Sequence, residues 1–324
     1  MATTLRIALF VVLVTVIAGL GAATYYSHEA IQQAHERVLS GSRIASTPCG
    51  PIEYAVAGAG PPVLVVHGAG GGFDQGLDLG APLVERGFRV IAMSRFGYLR
   101  TPLPQDASPT AQADAHACLL NALDIEYAAV FGVSAGAPSS LQFALRYPKR
   151  ITTLVLLVPA AYVPRSGGAP AVQTPFGTQF LLDTALRSDT LMWMASTLAR
   201  DLVIRSILAT PPVTVEHASS DEHARVQQVI EHLLPISQRR LGLLNEAAVL
   251  PGIPRYELER ISAPTLTISC ADDLFGTYDV ARYTAEQVSG ARFVGYPSGG
   301  HLCIGRQQAA IDEIVRFLES RKRP

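Results

Sequence analysis

The sequence predicts an α/β fold, a mostly parallel central sheet flanked by helices and carrying one helical insertion. Short apolar runs alternate with helix-like stretches from about residue 43 onward, the pattern of strands joined by crossover helices. Val63-Leu64-Val65-Val66 and Leu154-Val155-Leu156-Leu157-Val158 are continuously apolar rather than alternating, so both faces of these strands must be covered. Between Pro159 and Pro254 the strand rhythm stops and a Leu-rich helical pattern takes over, before strands resume near Ile261.

From the N-terminus, residues 7–23, IALFVVLVTVIAGLGAA, carry no charge and are broken only by Thr15. A run that is apolar all round belongs in lipid or in the core of an export signal. Gly21-Ala22-Ala23 suits a small-residue cleavage site, whereas Tyr25 and Tyr26 suit the outer edge of an anchor. Segment 1–26 is therefore expected to be a membrane anchor or a signal segment, and either places the domain outside the cytosol. Segment 27–42 reads as a polar helical spacer that ends at Gly41. The core then occupies 43–158 and 255–324, with the helical unit at 159–254. Strands are expected at 52–56, 63–66, 89–93, 128–133, 153–158, 265–269 and 291–296, and core helices at 109–123, 135–147, 280–288 and 307–320.

The 324 residues hold 26 basic and 27 acidic side chains and are 48% hydrophobic, which excludes a disordered or coiled-coil chain. A net charge of −1 gives no long-range pull toward a phosphate backbone, and the one basic cluster, Arg321-Lys322-Arg323, closes the chain. Nucleic acid is not an expected partner; a small molecule is. Cys49, Cys118, Cys270 and Cys303 lack metal-ligand spacing, so they read as buried apolar thiols and no metal is expected.

The chemistry gathers at strand ends. Gly132-Val133-Ser134-Ala135-Gly136 follows one predicted strand and opens a helix. Glycines two residues to either side let a serine hydroxyl project from a strained turn. A serine needs a histidine base oriented by a carboxylate. His301, in Ser298-Gly299-Gly300-His301-Leu302 after the last strand, is the histidine placed for it. His28 and His35 fall in the spacer, and His116, His217, His223 and His232 read as solvated. Asp273, after the strand at 265–269, is the expected acid, with Asp272 as the alternative. In His67-Gly68-Ala69-Gly70-Gly71-Gly72-Phe73 the glycines let backbone amides approach a developing oxyanion. The loop lacks both the Lys-[Ser/Thr] of a phosphate loop and a dinucleotide fingerprint, and no cofactor is expected.

With His67-Gly68, the Gly132–Gly136 motif, Asp273 and Gly300-His301 in that chain order, the sequence resembles the α/β-hydrolase superfamily over about residues 43–320. Ser94-Arg95-Phe96-Gly97-Tyr98 is similar to that family's loop after the fourth strand. The resemblance implies Ser134 as nucleophile, His301 as base, Asp273 as its orienting acid, and the amides of Ala69 and Ala135 as the oxyanion hole. It makes 159–254 a cap, whose Phe176, Phe180, Leu181, Leu182, Leu191, Met192, Trp193 and Met194 supply an apolar wall. Phe73 and Trp193 are candidate pocket residues. A serine ester hydrolase acting on an apolar substrate is expected first. Carbon–carbon bond hydrolysis, peptidase or perhydrolase chemistry, and a ligand-binding protein with a retained site, use the same residues. Asp273 must meet His301, which leaves pairing of Cys270 with Cys303 open.

Overall fold

The computed structural model describes residues 2–164 and 186–321. Eight strands form one sheet in the order β1-β2-β4-β3-β5-β6-β7-β8. They are β1 (Arg43–Thr47), β2 (Gly50–Ala57), β3 (Pro62–Val66), β4 (Arg89–Met93), β5 (Ala128–Val133), β6 (Ile151–Leu157), β7 (Thr265–Cys270) and β8 (Arg292–Tyr296). β2 pairs antiparallel with both β1 and β4, and every pairing from β4 to β8 is parallel. The continuously apolar runs serve two cores at once. Leu64, Val66, Leu154 and Leu156 face the side covered by α3 (Pro109–Ala122) and α4 (Ala137–Arg146). Val63, Val65 and Val155 face α2 (Phe73–Glu85) and α11 (Gln307–Glu319). Each such side chain, wholly removed from water, contributes roughly 1.5–3 kcal/mol. A further helix, α10 (Thr277–Gln287), packs on β7.

Between β6 and β7 the described residues form α5 (Asp189–Leu198), α6 (Arg200–Ser206), α7 (Pro212–Glu216), α8 (Ser220–Glu231) and α9 (Arg240–Val249). Ser188 and Ser219 cap α5 and α8, each hydroxyl accepting from an amide three residues on. This cap has its own apolar cluster, which includes Met192, Val203, Val226, Ile230 and Leu234. It is fastened to the core by a buried ion pair: Arg239, fully buried, grips Asp74 of α2 through two contacts of 3.1 and 2.6 Å. Burial, the largest single influence, would raise the Asp74 pKa, but the Arg239 charge and hydrogen bonds, the Arg37 charge and the Gln75 amide together hold the carboxyl below its ordinary value.

Several expectations need correction. The polar spacer at 27–42 belongs to one helix, α1 (Ala2–Ser40), and is built into the fold. Its stripe of Ala34 and Val38 is buried, Ala34 in the cap cluster and Val38 in the core. Arg37 Nη2 donates to the Leu234 carbonyl at 2.6 Å, and the His35 ring lies 3.2 Å from Asp189 and 2.8 Å from Gln238. Most side chains of the run 7–23 lie outside the described residues, among which no helix is long and apolar enough to cross a membrane. β1 was not anticipated because it is an edge strand with no apolar run, and α2 because it starts directly from the glycine loop and holds Pro82. Cys49 and Cys118 are not free thiols but a disulfide that ties the β1–β2 turn to α3. Cys270 and Cys303 are free and buried, their sulfurs 3.5 Å apart.

His116, read as solvated, is fully buried between Ser139 and Met93. Burial first, and the Arg95 charge second, lower its pKa to about 3. The neutral form is thus the folded form, while the unfolded chain takes up a proton near pH 6.5. Stability from this group is complete above pH 6.5 and is lost as pH falls toward 3, at about 1.4 kcal/mol per pH unit in that window. Denaturant titrations at pH 7, 6 and 5 should show His116→Gln with a slope against pH shallower than wild type by about that amount. Equal slopes would mean that His116 is protonated in the folded state.

Candidate active site

Ser134 sits where the carboxyl end of β5 turns into α4, in the left-handed region at φ 50°. An L-residue with a positive φ is strained, and a strained turn beside a sheet edge is how a hydroxyl is lifted clear of the backbone. The flanking glycines are required by contact. A β-carbon on Gly136 would stand 2.4 Å from the Val66 carbonyl oxygen, and one on Gly132 would stand 2.4 Å from Ser140 Oγ.

Three side chains far apart in sequence converge here. His301 Nε2 lies 2.9 Å from Ser134 Oγ, and His301 Nδ1 lies 2.8 Å from Asp273 Oδ2. Asp273 is buried and accepts further from the Phe275 amide at 2.9 Å and from the Thr277 hydroxyl. A carboxylate so held fixes the imidazole with its proton on Nδ1, leaving Nε2 to accept from the serine. Asp272 lies outside this chain of bonds; it accepts from the Gly300 amide at 2.8 Å and braces the histidine loop.

The loop after β3 passes directly over Ser134, since a β-carbon on Gly68 would stand 3.2 Å from that of the serine. The Gly68 amide is taken by Gln75 Oε1 at 2.9 Å and the Gly70 amide by the Tyr98 hydroxyl at 3.4 Å. Between them the Ala69 N–H has no partner among the described residues. Ala135 lies in the first turn after β5, where an amide has no acceptor within its own helix. His67 under the loop is fully buried, takes the Arg95 amide on Nε2 at 3.0 Å and meets the Gly68 carbonyl through Nδ1 at 2.7 Å. Burial, reinforced by the Arg95 charge, holds its pKa well below the ordinary histidine value. A neutral His67 is therefore a structural peg for the loop.

The two candidate pocket residues fare differently. Phe73 is buried in the core cluster that contains Val38, with Gly41 against its ring, and it is withdrawn as a pocket residue. Its place at the start of α2 turns it toward α1. Trp193 is half-buried against the cap's own cluster. Phe176, Phe180, Leu181 and Leu182 lie outside the described residues. The aromatic beside the site is Phe275, more than half exposed, whose ring stands edge-on to the His301 ring at 5.0 Å. It lies two residues past Asp273, in the same strand-end loop as the acid. A β-carbon on Gly70 would meet Leu233 of the cap at 3.5 Å. Among the described residues no group of three or more His, Cys, Asp or Glu side chains is placed to hold a metal ion.

Known proteins share this arrangement of elements. The family model described as alpha/beta hydrolase fold matches residues 61–206. An uncharacterized hydrolase of Bacillus subtilis (strain 168), YcgS, is 28% identical over 287 residues, which is 84% of this chain and 96% of that protein. A 2-hydroxy-6-oxononadienedioate/2-hydroxy-6-oxononatrienedioate hydrolase of Paraburkholderia xenovorans (strain LB400) is 28% identical over 77% of this chain and 84% of its own. Among solved structures, an alpha/beta hydrolase fold protein from Nakamurella multipartita superposes with a TM-score of 0.68 at 27% identity, covering 86% of this chain and 99% of that one.

Proposed function

Because the chain belongs to the α/β-hydrolase superfamily, we propose that it is a serine hydrolase that cleaves a small, apolar carboxylic ester through an acyl-enzyme at Ser134. The observation that carries this reading is the unbroken chain of contacts from Ser134 through His301 to Asp273, at 2.9 and 2.8 Å. Ser134 Oγ attacks the ester carbonyl while His301 Nε2 takes its proton. Asp273 stabilises the imidazolium that results. The tetrahedral oxyanion accepts from the amides of Ala69 and Ala135, and donors already in place cost no reorganisation when the charge develops. His301 then returns the proton to the leaving alkoxide, and water repeats the sequence on the acyl-enzyme. This chemistry calls for no metal or cofactor.

The preference for apolar acyl groups is supported by Phe275 beside His301 and Leu233 beside Gly70. Each methylene buried from water is worth about 0.8 kcal/mol, or roughly fourfold in kcat/KM. With 4-nitrophenyl esters from acetyl to octanoyl, kcat/KM should climb with chain length until the pocket is full. A clear preference for acetyl would overturn the apolar reading.

A second reading is hydrolysis of a 2-hydroxy-6-oxo dienedioate, favoured by the name of the Paraburkholderia relative. Its substrate is a dianion, so turnover of it in preference to the octanoyl ester would favour that reading. We also propose that the domain works outside the reducing cytosol, anchored or released by segment 1–26. Support comes from the uncharged run 7–23 and from the Cys49–Cys118 disulfide, a bond that persists in oxidising compartments.

A further inference from the structure

Arg95 follows β4 and is buried, yet its guanidinium sits between the two loops that carry the candidate oxyanion donors. Nη1 donates to the Ala135 carbonyl at 3.2 Å and Nη2 to the Gly68 carbonyl at 3.0 Å. Ala135 bears one of those donors, and Gly68 precedes Ala69, which bears the other. One rigid, planar cation thus fixes the spacing between them. The Arg95 carboxylate partner comes from the cap: Glu246, on α9, contacts Nη2. α9 rests on the same loop after β4, with the Gly242 amide donating to the Gly97 carbonyl at 2.9 Å. Both members of the ion pair are more than nine-tenths buried.

The pair is closed through one oxygen. Arg95 Nε and Glu246 Oε2 have no partner among the described residues, and both side chains line a cavity of about 30 Å³ together with Gln112 and Ala135. A charge-assisted contact between a buried guanidinium and a buried carboxylate holds each partner's orientation, so Arg95 follows the helix that bears Glu246. We infer that Glu246 is a positioning residue which, through Arg95, couples the seating of the cap to the geometry of the Ala69 and Ala135 amides. The donors then reach working distance when α9 is docked, and chemistry is tied to a closed cap.

This inference rests on the assignment of Ser134 as nucleophile, and the test separates the two. Glu246→Gln keeps the shape and an acceptor oxygen but removes the charge, Glu246→Ala removes both, and Arg95→Lys keeps the charge but loses the fork. Gln228→Ala, which breaks a cap–core contact to Asp78 of α2 that involves neither Arg95 nor Glu246, is the control. For 4-nitrophenyl esters, kcat should fall about tenfold in Glu246→Gln and about a hundredfold in Glu246→Ala and Arg95→Lys, with KM within about twofold and the control unchanged. Fluorophosphonate labelling of Ser134 should slow in the same proportion, because its trigonal-bipyramidal anion uses the same donors. Circular dichroism identifies the variants that fold, and Glu246→Gln, the mildest, decides the question if the others do not. If wild type is not labelled, the serine assignment fails. If wild type is labelled and folded Glu246→Gln matches it in kcat and labelling rate, or loses in KM alone, the coupling is overturned and the pair is merely structural.

Discussion

Ser134→Ala is expected to lower kcat for ester hydrolysis by about 10⁶ while leaving the protein folded. The substitution deletes the one oxygen that bonds to His301 Nε2. Because Ala at φ 50° carries the same backbone strain as Ser, no new strain is introduced. The residual rate should be what desolvation and the oxyanion donors alone achieve on a bound ester. Two measurements check this: the burst of nitrophenolate from a 4-nitrophenyl ester disappears, and fluorophosphonate no longer adds mass to the protein. Hydrolysis at more than about a hundredth of the wild-type rate would place the nucleophile elsewhere.

Asp273→Asn should cost about 10⁴ in kcat. The loss comes from a reversed hydrogen bond rather than from a gap. The Phe275 amide donates to the Oδ1 position, so the asparagine carbonyl settles there and its NH₂ takes the Oδ2 position, where it faces His301 Nδ1 and a Thr277 hydroxyl that must turn round to accept. The imidazole must then carry its proton on Nε2, where it can no longer accept from Ser134. Asp272→Asn keeps an acceptor for the Gly300 amide and should stay within a few-fold of wild type. The reverse ranking would move the orienting acid to Asp272.

Local sequence carried most of the sheet and the central contacts. A strand buried on both faces has no choice but to be continuously apolar, so β3 and β6 announced themselves, and the chain order of the strand-end motifs brought Ser134, Asp273 and His301 to one edge. What stayed illegible was set by distant partners. His116 looked solvated because its sequence neighbours Asp114, Ala115, Ala117 and Cys118 are polar or small, and it is the packing of α3 on α4 and on Met93 of β4 that encloses it. Segment 27–42 looked like a spacer because its buried stripe is thin, Ala34 and Val38, and the counterparts of that stripe lie far along the chain, in the cap for Ala34 and in the core for Val38. Arg95 and Glu246 are 151 residues apart, and neither has a spacing signal. Cys49 and Cys118, separated by 69 residues, could be paired only once the β1–β2 turn was laid against α3.

That last bond makes a ring of the chain from residue 49 to residue 118, which encircles β3, the glycine loop, α2, β4 and the loop bearing Arg95. Closing a loop of this length withdraws entropy from the unfolded chain worth on the order of 4 kcal/mol. The ring also changes what a break in the backbone means. Residues 102–106 are exposed and lie inside it, so a protease that cuts there produces two ends but still one molecule. The severed halves stay tethered on either side of the cut, within reach of their native neighbours. A wound at the most accessible stretch between β4 and α3 thus becomes a nick in a circle rather than the loss of half the site.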